Sequence, residues 1–215
     1  MKDQPRRPRG RPRLFDRETA LRDARDAFWR SGYAGTSLDD LAAAMGMNRP
    51  SIYAAFGDKE ALYLKSLERY AQESCRLLEL ALEAPGTLRE RLAAVYAGAI
   101  AFYLEGGPEA PRGCFLVGTG VTQALPSSQV RGLLEATFEA FCGAFSRAFQ
   151  RARSQRELSA ASSADGLAQI AAATLNTLAL RARTGATRAT LEQLAAATVE
   201  VVCSAATEAR TKKAP

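Results

Sequence analysis

Arg49, Pro50 and Ser51 stand side by side in a stretch that reads LDDLAAAMGMNRPSIYAAF from Leu38 to Phe56. A guanidinium pairs with the O6 and N7 atoms of guanine or with a phosphate, and a proline ring packs on a thymine methyl. A second chemical group lies at the amino terminus, in Pro8-Arg9-Gly10-Arg11-Pro12. Prolines and a glycine among arginines forbid a stable helix there, because proline removes donors and glycine adds backbone freedom. The arm is therefore expected to be extended, cationic and disordered until it meets a polyanion. Lys2, Arg6, Arg7, Arg9, Arg11 and Arg13 against the single Asp3 give residues 1–13 a charge of +5, whereas the whole chain carries +6. The excess charge is thus an end effect, which points to a terminal contact with a polyanion and not to a basic protein throughout.

The remaining chemistry is mostly excluded. The 215 residues contain no histidine, and the four cysteines, at 75, 114, 142 and 203, are too far apart for a disulfide framework or a paired-cysteine zinc site. No glycine-rich phosphate loop or paired carboxylates stand out, so an enzyme is not expected, nor a metal or a cofactor. No apolar run approaches the ~18 residues that span a membrane, and the arginine-rich start has no apolar segment behind it. The expectation is a cytoplasmic protein without a membrane partner. Cys114 stands apart, in Pro111-Arg112-Gly113-Cys114-Phe115. A helix start and a neighbouring arginine would lower a thiol's pKa and make it a candidate redox or electrophile sensor; the competing reading is a small buried apolar side chain.

The elements that position these groups are helical. Asp16 caps a stripe of Ala20, Leu21, Ala24, Ala27 and Phe28 that ends at Gly32, and Thr36-Ser37 opens a second helix with Leu38, Leu41, Ala42 and Met45. Gly46 closes it, and Asn48 caps a third helix whose inward residues are Ile52, Tyr53 and Phe56. Further helices are expected at about 59–84, 87–103, 113–124, from Ser127 through Phe149, at 163–184 and at 187–209. No strand pattern occurs, so the fold class is all-α with about nine helices. Ala42, Gly46 and Ile52 have the spacing of a helix-turn-helix, in which the second helix presents its first turn to the DNA major groove.

With those residues in place, the run from Phe15 to Leu64 resembles the amino-terminal domain of TetR-type transcriptional repressors. The resemblance rests on Gly32-Tyr33, Thr36-Ser37, Ala42, Gly46, Ile52-Tyr53, Phe56, Lys59-Glu60 and Leu62. It implies a basic arm over residues 1–13, a DNA-binding domain over 14–60, and a helical effector-binding and dimerisation domain over 61–215. Chemistry and resemblance together assign Arg49, Pro50 and Ser51 to the recognition helix, Tyr53 and Lys59 to phosphate clamps, and Thr36 and Ser37 to an anion site at a helix N-terminus. Ala54 and Ala55 stand where the family often has larger residues and leave a small reading surface. Arg9-Gly10-Arg11 resembles an AT-hook core, placing Arg9 and Arg11 in a narrow A·T-rich minor groove.

The resemblance further implies a homodimer built from the last two helices, with Ala171, Ala172, Ala195 and Ala206 allowing close approach; the interface is the favoured reading of these alanines, and an intramolecular bundle is the alternative. The central helices are expected to enclose a small apolar or aromatic effector among Tyr96, Tyr103, Phe115, Phe138 and Phe141. The resulting expectation is a repressor that binds a palindromic double-stranded operator as a dimer and leaves it when an effector binds. The alternatives are an architectural, weakly specific DNA-binding protein and a cysteine-based sensor.

Overall fold

The computed structural model describes residues 16–107, 111–159 and 162–204, and every regular element among them is helical. Arg9, Arg11 and Ala206, for which contacts are expected above, lie outside the described residues. The elements are α1 (Arg17–Gly35), α2 (Leu38–Met45), α3 (Arg49–Phe56), α4 (Lys59–Glu83), α5 (Leu88–Tyr103), a π-helical turn (Leu116–Gly120) that runs into the short α6 (Val121–Gln123), α7 (Ser128–Ser154), α8 (Ala164–Arg183) and α9 (Arg188–Ser204).

Local chemistry explains most of the boundaries. Asp16, Ser37, Asn48, Asp58, Thr87, Ser127 and Ser163 each accept a backbone N–H from the first turn of the helix that follows. Ser37 and Thr87 do so reciprocally, with Asp40 and Glu90 reaching back to their backbone amides. Replacing Ser37 by alanine removes one such cap and is expected to cost about 1 kcal/mol of stability, read as a lowered thermal midpoint with unchanged helix content.

Gly32 breaks α1 where the sequence reading ends it, at φ 72°, ψ 170°, and a further short turn runs on to Gly35. Another boundary differs from the sequence reading. The expected helix at 113–124 begins later and as a π turn. Gly113 sits at φ 61°, and a Cβ there would lie 2.8 Å from the Ala179 carbonyl oxygen and 3.1 Å from Arg183 Cβ, so only glycine lets this loop lie against α8.

The helices share one core, running from Ala20 in α1 to Val202 in α9. Helix α4 packs against α1, α5 and α7, while α8 lies along α7 and against α5 and α9. The link between the amino-terminal helices and the rest is Trp29 of α1. Its buried indole lies 5.2–5.7 Å from the rings of Tyr70, Phe102 and Phe115, and its Nε1 donates to the Arg112 carbonyl at 2.7 Å. Arg183, in the last turn of α8, closes the same junction by donating to the carbonyls of Trp29 (3.2 Å), Pro111 and Arg112 (both 3.4 Å).

Candidate nucleic-acid interface and effector cavity

The turn between α2 and α3 is set by Gly46, in the left-handed region at φ 59°, ψ 31°, while the Met47 amide bonds back to Ala42 O at 3.0 Å. Leu41, Met45, Ile52 and Phe56 are buried behind the pair. That burial leaves Arg49, Pro50, Tyr53 and Ala54 exposed along one side of α3, with Ser51 half-buried. Tyr53, expected to point inward in part, is 49% exposed.

Arg49 is held by a residue that the sequence reading did not single out. Its Nε donates to Asp39 Oδ1 at 2.7 Å, and its Nη2 bonds Asp39 Oδ2. These hydrogen bonds hold the Asp39 carboxyl below its usual range and push the guanidinium pKa up. Asp39 thus occupies the side edge of the guanidinium and leaves the end-on hydrogens of Nη1 and Nη2 unused by it, on a half-exposed side chain. That is the edge whose spacing matches guanine O6 and N7. The only sequence signal for Asp39 was its place in the first turn of α2, where an acid is already explained by the helix dipole.

Other expected contacts fall differently. Thr36 does not offer its hydroxyl to an anion. The side chain is buried and donates to Gly32 O at 2.7 Å, because the kink at Gly32 leaves that carbonyl without its helical partner. Ser37 is exposed, but Asp40 occupies both its amide and its hydroxyl, at 2.8 and 2.7 Å. Lys59 stands over the Tyr33 ring, its Nζ 4.4 Å from the centroid.

Beneath α1 lies a cavity of about 740 Å³ between α1, α4, α5, α7 and α8. Leu21, Leu78, Val95, Phe102 and Leu175 give it apolar walls, and Tyr70, Tyr103, Cys114 and Ser66 bring polar groups inside. Glu18, Arg22, Arg25, Arg69 and Glu73 are charged lining residues, with Arg69 Nε paired to Glu18 at 2.7 Å across α4 and α1.

The cavity brings together Tyr103 and Phe141 of the five aromatic residues expected to line it, and not the other three. Tyr96 instead packs toward α8 and donates to Ala171 O at 3.1 Å. Phe115 is fully buried against Trp29, Tyr63 and Tyr70, and Phe138 is half-buried off the cavity wall. Cys114 is on the wall, but the electrostatic argument for its reactivity reverses. Burial pushes the thiol pKa up, with Tyr70 Oη donating to Sγ at 3.5 Å as a smaller opposing effect. Arg112 is turned away over the Trp29 ring and toward Asp26 and Glu105. The alanines expected at a dimer interface, Ala171, Ala172 and Ala195, are buried within the chain; the outward residues of α8 and α9 include Ile170, Leu180 and Val201. Among the described residues no helix is long and apolar enough to cross a membrane.

The family profile described as "Bacterial regulatory proteins, tetR family" matches residues 20–65, and that described as "Tetracyclin repressor-like, C-terminal domain" matches residues 89–199, more than half of the chain. The HTH-type transcriptional repressor ComR of Escherichia coli K12 is 36% identical over 127 residues; the match covers 59% of this chain and 60% of ComR. YezE of Bacillus subtilis, an HTH-type transcriptional regulator, is 28% identical over 149 residues, covering 69% and 76% of the two chains. Among solved structures, a cysteine-substituted variant of the TetR family regulator CifR, in complex with 26-base-pair operator DNA, superposes with a TM-score of 0.80. It is 33% identical, over 90% of this chain and 100% of that one. The reduced form of E. coli NemR shares the fold at a TM-score of 0.75 and 22% identity, over 85% and 94% of the two chains.

Proposed function

The chain belongs to the TetR family of bacterial transcriptional regulators, which are DNA-binding proteins and not enzymes, and on that premise we propose that it is a repressor that grips a palindromic operator as a homodimer and is released by a small apolar effector. The observation that carries this reading is the exposed leading edge of α3, with Arg49 braced by Asp39 and its end-on edge free, in a chain similar to one solved on operator DNA. Pro50 and Tyr53 flank it on the same exposed side.

One helix-turn-helix contacts too few base pairs for useful specificity, and a twofold partner doubles the count. Ile170 and Leu180 on α8 and Val201 on α9 are exposed apolar residues that such a partner would cover. The arm from residue 1 to 13 extends the contact, with Arg9 and Arg11 in the adjacent A·T-rich minor groove. The effector occupies the cavity between α1 and α4. The two helices are bridged by Glu18 and Arg69, so a ligand that spreads them changes how α1 carries the reading head. Its differential affinity for the free and DNA-bound geometries sets how completely the operator is released.

Selection of bound duplexes from a random library tests the reading. The expected result is two inverted half-sites about one helical turn apart, or a multiple of it, each with a fixed guanine. Uniform recovery of unrelated sequences overturns it in favour of an architectural role.

A further inference from the structure

The cavity floor carries more chemical information than its volume. The Tyr70 proton is already committed: its hydroxyl donates to Cys114 Sγ at 3.5 Å. Ser66 is also spent, donating to Leu62 O at 2.8 Å. Tyr103 is different. It comes from the last residue of α5, is 8% exposed and lines the cavity, yet its hydroxyl makes no hydrogen bond among the described residues. Every other buried tyrosine there, at 63, 70 and 96, has a partner for its hydroxyl.

The Tyr103 hydroxyl is not sealed off, since the one buried side-chain polar atom without a partner among the described residues is Arg91 Nε; it lines the cavity with no protein acceptor, so whatever fills the cavity has to supply one. The acceptor's charge follows from the surroundings. Burial pushes the pKa values of the Tyr103 phenol and the Cys114 thiol up, so both line the cavity as neutral groups. The guanidiniums that line the cavity, those of Arg22, Arg25 and Arg69, come from α1 and the charged side of α4, where Glu18 and Glu73 accompany them. Among apolar walls a carbonyl or ether oxygen is met by one neutral donor, whereas a carboxylate there carries a desolvation cost that a phenol alone does not offset.

We propose that the effector is a neutral, largely apolar molecule bearing an acceptor oxygen of the ketone, ester or ether type, and that the Tyr103 hydroxyl is its specificity-determining donor. The inference rests on the effector reading of the cavity and narrows it to one ligand chemistry. No covalent step is involved. Cys114 contributes shape and accepts from Tyr70, which keeps the second phenol out of competition for the ligand oxygen.

Three probes of nearly equal shape separate the possibilities: 2-acetylnaphthalene, 2-ethylnaphthalene and 2-naphthoate, titrated calorimetrically into the full chain. The wild-type protein is expected to bind the ketone about tenfold more tightly than the hydrocarbon and to bind the carboxylate least. Tyr103→Phe removes one oxygen and keeps the ring, so it is expected to abolish the preference for the ketone while leaving 2-ethylnaphthalene affinity unchanged. Tyr70→Phe is expected to keep the preference. Equal binding of ketone and hydrocarbon by the wild type, tightest binding of the carboxylate, or a preference that survives Tyr103→Phe overturns the proposal and leaves the effector cavity standing. Failure of all three probes to bind overturns the effector cavity itself, and the proposal with it.

Discussion

Trp29→Ala is expected to remove about 3–5 kcal/mol of stability, a large part of the roughly 5–15 kcal/mol that holds a domain folded. The indole is 2% exposed and touches rings from α4, α5 and the segment leading into the π turn, so no single neighbour can move in to fill the space. The substitution also strips the Arg112 carbonyl of its 2.7 Å donor. Urea unfolding followed by circular dichroism measures the loss. Because the core is continuous from α1 to α9, the variant is expected to unfold in one transition at a lower midpoint. A loss below about 1 kcal/mol would mean that the junction repacks freely and that Trp29 does not link the reading helices to the rest.

Arg49→Ala is expected to weaken operator binding by on the order of a hundredfold. Each bidentate guanine contact discriminates by roughly tenfold or more, and a symmetric dimer loses two at once. Titration of labelled operator at fixed salt reads the loss, and the same titration with the guanine replaced shows whether the variant still distinguishes it. Asp39→Ala separates positioning from reading. It frees the guanidinium from its brace and removes a negative charge from the exposed side on which DNA is proposed to sit. Binding to unrelated duplex is expected to rise while preference for the guanine falls. An Arg49→Ala variant that keeps full affinity and full base preference would place the reading edge elsewhere on α3.

The contrast between what local patterns show and what they hide is clear in this chain. The starts of α2 and α3 were legible because Ser37 and Asn48 act on amides two or three residues away, a range that sequence displays directly. Gly46 was legible for the same reason: a left-handed residue ending an apolar stripe is a local requirement. The cavity was not. Tyr96 and Tyr103 lie seven residues apart on α5, yet one turns to a carbonyl of α8 and the other to the cavity, a distinction made only by how the helices cross. Phe138 and Phe141 on α7 divide in the same way. Ala171, Ala172 and Ala195 did signal close approach, but the neighbour is internal: Thr174 and Thr198 meet at 3.1 Å between α8 and α9. Small residues register how near a helix comes and say nothing about whose helix it is. Thr36 misled for a further reason. A hydroxyl at a helix start looks free for an anion unless one knows that Gly32, four residues earlier, has bent the preceding helix and exposed a carbonyl.

Arg183 ties α8 to α1 through the Trp29 carbonyl, so the helix that supplies part of the outward apolar face also holds α1, whose packing lies against α4 and the π turn. In a twofold assembly built on that face, the gap between the two reading heads is gauged from the symmetry axis through α8, with the Arg183 guanidinium as its direct tie to α1. A slight tilt of α1 about this anchor therefore appears at both ends of the pair in opposite senses and adds in the separation, which lets a modest local displacement be felt as a misfit on the DNA.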